Sequence, residues 1–192
     1  MPLLDAILFG LALGFSLTIP PGPMNALIAA QAARSLRRGI VTGLGAMSAD
    51  LILGALVYAL RDAVDIAPVV RYVYAVGAAV MAFLAYRILR VRGPVGPSEV
   101  PDLRTYSQAL GVGLSNPFQI VWWLSAGIAF AYLGGLVLYA ALFAAVLVWV
   151  IAFPYAIHLG TRSRPKLARL VPLVSGAILL GFAAYFALLA IA

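Results

Sequence analysis

The chain has 192 residues, 65% of them hydrophobic and only 10% charged, with a formal net charge of +7. So little polar surface excludes a soluble globular domain and predicts an all-α membrane protein, a single transmembrane domain embedded in the lipid bilayer. The absence of cysteine excludes disulfides, thiolate metal sites and thiol redox chemistry, and one histidine, His158, argues against a histidine-built metal site.

The first apolar stretch, residues 3–33, holds one acid, Asp5, near its start. It lacks a basic segment ahead of it and carries prolines where a signal-peptide cleavage site would fall, so it reads as a retained span. Within it stands Pro20-Pro21-Gly22-Pro23, followed by Asn25. Prolines remove backbone donors and clash with the preceding turn, so no helix runs through this segment unbroken. In hydrocarbon, backbone opened in this way is tolerated only where protein or a water-lined cavity covers it.

The second stretch, residues 39–60, contains Asp50, eleven residues after Gly39 and eleven before Arg61, near the bilayer midplane. A carboxylate at that depth costs at least ~2.5–3.5 kcal/mol unless paired or protonated, so Asp50 is expected to face a cavity or another helix. Gly43, Ala46 and Gly54 share its face as a small-residue stripe suited to close packing. A purely structural, hydrogen-bonded Asp is the plainer alternative. A third stretch, residues 69–89, leads into a Pro- and Gly-rich loop, residues 92–104, which divides the chain into halves at 1–91 and 105–192.

From Thr105 to Thr161 no residue is formally charged. A continuous helix of that length would be about 85 Å long, nearly three times the hydrocarbon thickness. The segment must fold back, and Gly134-Gly135 is the expected turn. A fourth span at 107–133, a fifth at 136–158 and a sixth at 170–192 follow. The fourth carries a second break, Asn116-Pro117, with Gln119 just beyond. Paired breaks in corresponding spans point to a transporter's substrate site, and three spans per half require the halves to lie in opposite orientations. The expected fold is six transmembrane helices as two inverted three-helix repeats, with helices 1 and 4 broken.

The basic residues fall at 34, 37 and 38, at 87, 90, 92 and 104, and at 162, 164, 166 and 169, which places eleven of thirteen on one face. That face is expected to be cytoplasmic, with both termini outside the cell membrane. The same distribution assigns the positive charge to the membrane surface and not to nucleic acid. Small-residue stripes such as residues 39–43 suit internal packing or a homo-oligomer contact equally.

Candidate substrate-binding residues are Pro20, Pro21, Gly22, Pro23 and Asn25 at the first break and Asn116, Pro117 and Gln119 at the second. Half-helix N-termini beginning at Pro23 and Pro117 present amides and positive dipole ends to an anion. Asp50 supplies the opposite sign and is the candidate for proton coupling. Amides for a carboxylate and an acid for an ammonium suit a zwitterionic amino acid. A structural kink without ligand remains the alternative for either break alone. Trp122 and Trp123 read as an aromatic wall above the site or, equally, as packing or interfacial residues; His158 reads as an interfacial histidine before a proton relay. With no Ser-His pair and no paired acids, the sequence points away from an enzyme and calls for no cofactor.

Pro21-Gly22-Pro23-Met24-Asn25, Arg37-Arg38-Gly39, the run from Gly45 to Asp50, and Gly113-Leu114-Ser115-Asn116-Pro117 together resemble the lysine exporter family of amino acid efflux proteins. That family commonly has a Lys after Asn-Pro, where Phe118 and Gln119 stand here. The resemblance implies proton-coupled antiport of amino acids or related small metabolites by alternating access. A small-ion or divalent-metal exporter is an alternative, although one buried acid supplies few of the oxygens a hard cation needs. A non-transporting accessory subunit is another.

Overall fold

The computed structural model describes residues 2–19, 22–60, 70–90, 102–124 and 135–191, and among them all regular structure is helical. Eight helices are described: α1 Leu3–Thr18, α2 Pro23–Ala32, α3 Leu36–Leu60, α4 Val70–Arg90, α5 Asp102–Leu114, α6 Pro117–Trp122, α7 Gly135–Ser163 and α8 Pro165–Ile191.

Both expected breaks are present. α1 stops at Thr18, and α2 restarts with Pro23 in its first turn, after Gly22 in an extended conformation. Proline suits that position because its missing N–H would have no intrahelical partner there. The two axes are bent by 75°. α5 ends at Leu114, and α6 restarts at Pro117 behind an extended Asn116. Of the expected turn at Gly134-Gly135, Gly134 lies outside the described residues. Gly135 opens α7 with φ of 57°, in the left-handed region that favours glycine. Pro20, Pro21, the loop from 92 to 101 and the end of the fourth expected span also lie outside the described residues.

Among the described residues three helical stretches are long and apolar enough to cross a bilayer: Leu36–Leu60, Gly135–Ser163 and Leu170–Ile191. A fourth span is added if α1 and α2 count as one bent crossing. These correspond to the second, fifth, sixth and first expected spans. The third is occupied by α4, of 21 residues, and the fourth begins with α5 and α6.

α1 packs along α7, α3 along α5, and α4 along α8, while α2 is wedged against α3, α7 and α8, and α3 also meets α7. Small residues set these approaches, as expected where helices associate by packing and not by expulsion of water. A Cβ at Gly10 of α1 would lie 2.5 Å from the Leu138 carbonyl oxygen of α7, and one at Gly45 of α3 would lie 2.6 Å from that of Tyr106 in α5. The stripe around Asp50 is likewise internal: Gly39 meets Ala32 and Pro154, Gly43 meets Val150, and Gly54 meets Trp123. One buried cluster centres on Met81, Leu179 and Phe186, and another on Trp123, Leu142, Val146 and Val150. Large apolar side chains such as Leu8, Phe83, Val148, Leu173 and Leu188 are exposed, as a lipid-facing surface requires.

Candidate functional site

Ending α1 in mid-span leaves its last carbonyls without helical donors. Asn25, the third residue of α2, reaches back to this end, and its Nδ2 donates to the Thr18 carbonyl. Its Oδ1 accepts from the indole Nε1 of Trp149 on α7 at 3.1 Å. Thr18 turns its own hydroxyl onto the Gly14 carbonyl at 2.9 Å. Gly22, the N-cap of α2, has no side chain with which to cap it.

The second break is closed differently. Asn116 Oδ1 accepts from the backbone N–H of Phe118 at 3.1 Å, capping α6. Its Nδ2 donates to Gln119 Oε1 at 3.1 Å. Gln119, the third residue of α6, then donates through Nε2 to Asp50 Oδ1 at 2.9 Å. Trp123 Nε1 donates to the same oxygen at 2.8 Å. Asp50, Asn116 and Gln119 are all buried, and Trp123 is fully so. Among the described residues no donor reaches Asp50 Oδ2.

Two glycines hold this arrangement in register. Gly54, one turn beyond Asp50, lies under the six-membered ring of Trp123, where a Cβ would come within 2.8 Å of Cη2. The missing side chain therefore lets the indole approach α3 closely enough for its N–H to reach the carboxyl group. The ring is also stacked on Phe143 at 5.9 Å and 13°, and Trp122 meets it edge-on at 5.2 Å. At the other end of α6, Gly77 of α4 seats Pro117, whose ring a Cβ at that position would overlap.

The polar groups converge on one cavity of about 60 Å³, lined by Thr18, Asn25, Asp50, Asn116, Gln119 and Trp149 together with Gly22, Pro23 and Met24 of the first turn of α2. That space holds a few waters and is far below the ~300 Å³ at which drug-sized ligand pockets begin. Of the residues expected at a site, the fold brings together Gly22, Pro23, Asn25, Asp50, Asn116 and Gln119. Pro117 is buried beside the cavity without lining it. His158 lies apart: its Nδ1 donates to the carbonyl of Ala32, the last residue of α2, at 3.0 Å.

Two participants were not legible as such. Trp123, which the sequence left between wall and packing, is a hydrogen-bond donor to Asp50, and Trp149 was not singled out. The signal available for both was an indole N–H inside an apolar span, which needs a partner when buried. The contacts also cross over. Asn25 and Gln119 hold the third positions of α2 and α6, and each reaches the long helix of the other half. Trp149 lies fourteen residues after Gly135, and Asp50 fourteen after Leu36, the first residues of their helices.

Among the described residues no group of three His, Cys, Asp or Glu side chains is placed to hold a metal ion. The family model described as LysE type translocator matches residues 15–190, a stretch that includes both breaks and Asp50. No curated protein and no solved structure matches the chain.

Proposed function

The chain belongs to the LysE type translocators, a family of transporters and not enzymes, and from that premise we propose that it exports amino acids or closely related small metabolites in exchange for protons. The observation that carries this reading is the buried carboxyl group of Asp50 between two broken helices. Gln119 and Trp123 fix its Oδ1, while Oδ2 meets no donor among the described residues and the side chain lines the central cavity. An intramembrane acid so placed is functional by default. In the proposed cycle Oδ2 carries either a proton or the substrate's ammonium group. The start of α2, the positive end of its dipole, where the N-cap Gly22 offers no side chain, receives the substrate's carboxylate.

Alternating access by rocking of two inverted repeats belongs to the same proposal. The packing pattern supports it: exchanging the helices of one half for those of the other turns the α1–α7 pair into the α5–α3 pair and leaves α3–α7 and α4–α8 unchanged. The crossed contacts Asn25–Trp149 and Gln119–Asp50 exchange in the same way. The proposed orientation puts the basic end in the cytoplasm and both termini outside the cell membrane.

Release of labelled amino acids from preloaded proteoliposomes, with and without an imposed pH gradient, tests this reading. The expected result is selective release of one chemical group, accelerated by the gradient and abolished in Asp50→Asn. Undiminished gradient-driven release by Asp50→Asn would remove proton coupling through that residue, and no release by folded protein would remove the amino acid class.

A further inference from the structure

A second cavity, of about 430 Å³, lies between α2, α3, α4 and α5 and has no part in the contacts around Asp50. Its polar lining is Gln31, Arg34, Thr42, Thr105, Ser107, Gln108 and Ser115, an unusual concentration in a chain with so few polar residues. Arg34 is the one formally charged side chain among the described residues that line it. Thr105 is buried, and its side chain lines this space.

The position of the cavity is as informative as its lining. Arg34 stands just past the end of α2, Thr105 is the fourth residue of α5, and Ile88 is two residues before the end of α4. One end therefore lies at the basic face of the molecule. The other reaches Leu27, Val112 and Ser115, the residue before Asn116. Leu27 and Val112 belong to one buried cluster with Met24 and Ala46, and the latter two line the Asp50 cavity. Apolar side chains of that one cluster therefore line both cavities. Gly111 of α5 also lines the larger one, and a Cβ there would meet nothing within 4 Å.

We infer that this cavity is an anion-selecting vestibule on the basic side of the membrane, in which Arg34, assisted by the amides of Gln31 and Gln108, holds the substrate's carboxylate before it passes Leu27 and Val112 on the way to Asp50. The identity of the substrate rests on the exporter reading; the vestibule's preference for anions does not. A guanidinium presents a planar fork of donors that matches a carboxylate in a bidentate pair. A cleft lined by one sign of charge raises the local concentration and on-rate of its counter-ion by roughly 10–10³-fold.

The chain has no cysteine, so one introduced thiol reports on the cavity without background. Ser107, which also lines it, is replaced in Ser107→Cys. The variant is labelled from the basic side with an anionic sulfonatoethyl or a cationic trimethylammonioethyl methanethiosulfonate. Relative to a small free thiol, the anionic reagent is expected to gain roughly tenfold or more over the cationic one. Adding Arg34→Gln returns the ratio to that of the free thiol, and Arg34→Lys retains most of the preference, which separates loss of charge from misfolding. A ratio unchanged by Arg34→Gln, or a thiol unreactive from that side, overturns the inference. In the transport assay Arg34→Gln raises the half-saturating substrate concentration on the basic side about tenfold with little change in maximal rate, whereas Asp50→Asn abolishes coupled flux. If no amino acid is released at all, the exporter reading fails while the labelling ratio still decides the vestibule.

Discussion

The seat of Trp123 against Gly54 gives a prediction in which two damaging substitutions repair one another. Gly54→Ala places a methyl group 2.8, 2.9 and 3.3 Å from three ring carbons of Trp123. The indole cannot retreat, because it is fully buried, stacked on Phe143 and tied to Asp50. Overpacking of this kind costs ~1–3 kcal/mol. Trp123→Phe loses the 2.8 Å bond to Asp50. Interhelical hydrogen bonds in a bilayer average ~0.6 kcal/mol and reach ~1.7, and the value here lies at the upper end because a carboxyl group accepts. The lost outer part of the indole leaves a void that adds a cavity cost of ~1 kcal/mol, for a total of about 2–3 kcal/mol. In the double variant the methyl group occupies part of that void, so Gly54→Ala is neutral or stabilising there. Equilibrium unfolding in mixed micelles, or steric trapping in bicelles, reads all four corners of the cycle. The expected coupling is ~1–2 kcal/mol in the repairing direction. Costs that add to within ~0.5 kcal/mol would refute the claim that Gly54 exists to admit this ring.

Four further substitutions, at three positions, test other joints. Gly77→Ala drives a methyl group into the Pro117 ring and is expected to cost at least ~1–3 kcal/mol, seen as a lower midpoint of thermal unfolding in detergent together with reduced flux, since α6 carries Gln119. Gln119→Leu leaves Asn116 Nδ2 and Asp50 Oδ1 each one bond short, at ~1–3 kcal/mol; Gln119→Glu, which sets acid against acid, is expected to lower the yield of monodisperse protein further. His158→Phe removes the donor to the Ala32 carbonyl for ~0.5–1.5 kcal/mol, and because His158 lies away from the cavity the flux per folded molecule is expected to stay near that of the native protein.

Much of this architecture was legible because proline and charge act locally. The prolines at 20, 21 and 23 and at 117 stop a helix whatever surrounds them, so the ends of α1 and α5 and the starts of α2 and α6 could be read directly. The place of Asp50 midway along its helix followed from counting residues between charges. The partners could not be counted in that way. Asn25 and Asn116 were expected to turn their amides toward a ligand; instead, in this conformation, they close backbone groups opened by the breaks, the Thr18 carbonyl and the Phe118 N–H. A freed backbone group in an apolar interior takes the nearest side-chain amide, but which amide is nearest depends on the 75° bend between α1 and α2, and composition does not encode that angle. Trp123 and Trp149 escaped for the same reason, since their roles lie in contacts 73 and 124 residues away along the chain.

Those commitments narrow how the proposed cycle can work. With Asn25 and Asn116 tied to backbone, and Gln119 and Trp123 tied to Oδ1 of Asp50, few polar groups around the cavity are left for a substrate. Among the described residues they include Oδ2 of Asp50 and the start of α2, whose N-cap Gly22 offers no side chain. Opposite charges of one small molecule fit those two places, and like charges do not. A proton and an ammonium group cannot share one oxygen, so exclusion follows from the count of acceptors and needs no conformational signal. A cavity of about 60 Å³ cannot admit the substrate as it stands, so loading must separate the broken helices from α3 and α7. Among the described residues, side-chain bonds that resist this separation at the cavity are Gln119–Asp50, Trp123–Asp50 and Trp149–Asn25, with Tyr106–Ser48 and His158–Ala32 joining the same helices farther away. Two of the three at the cavity end on Asp50. In the proposed cycle the group that chooses between proton and substrate is therefore also the group that latches the helices around it, which ties occupancy to opening through a single side chain.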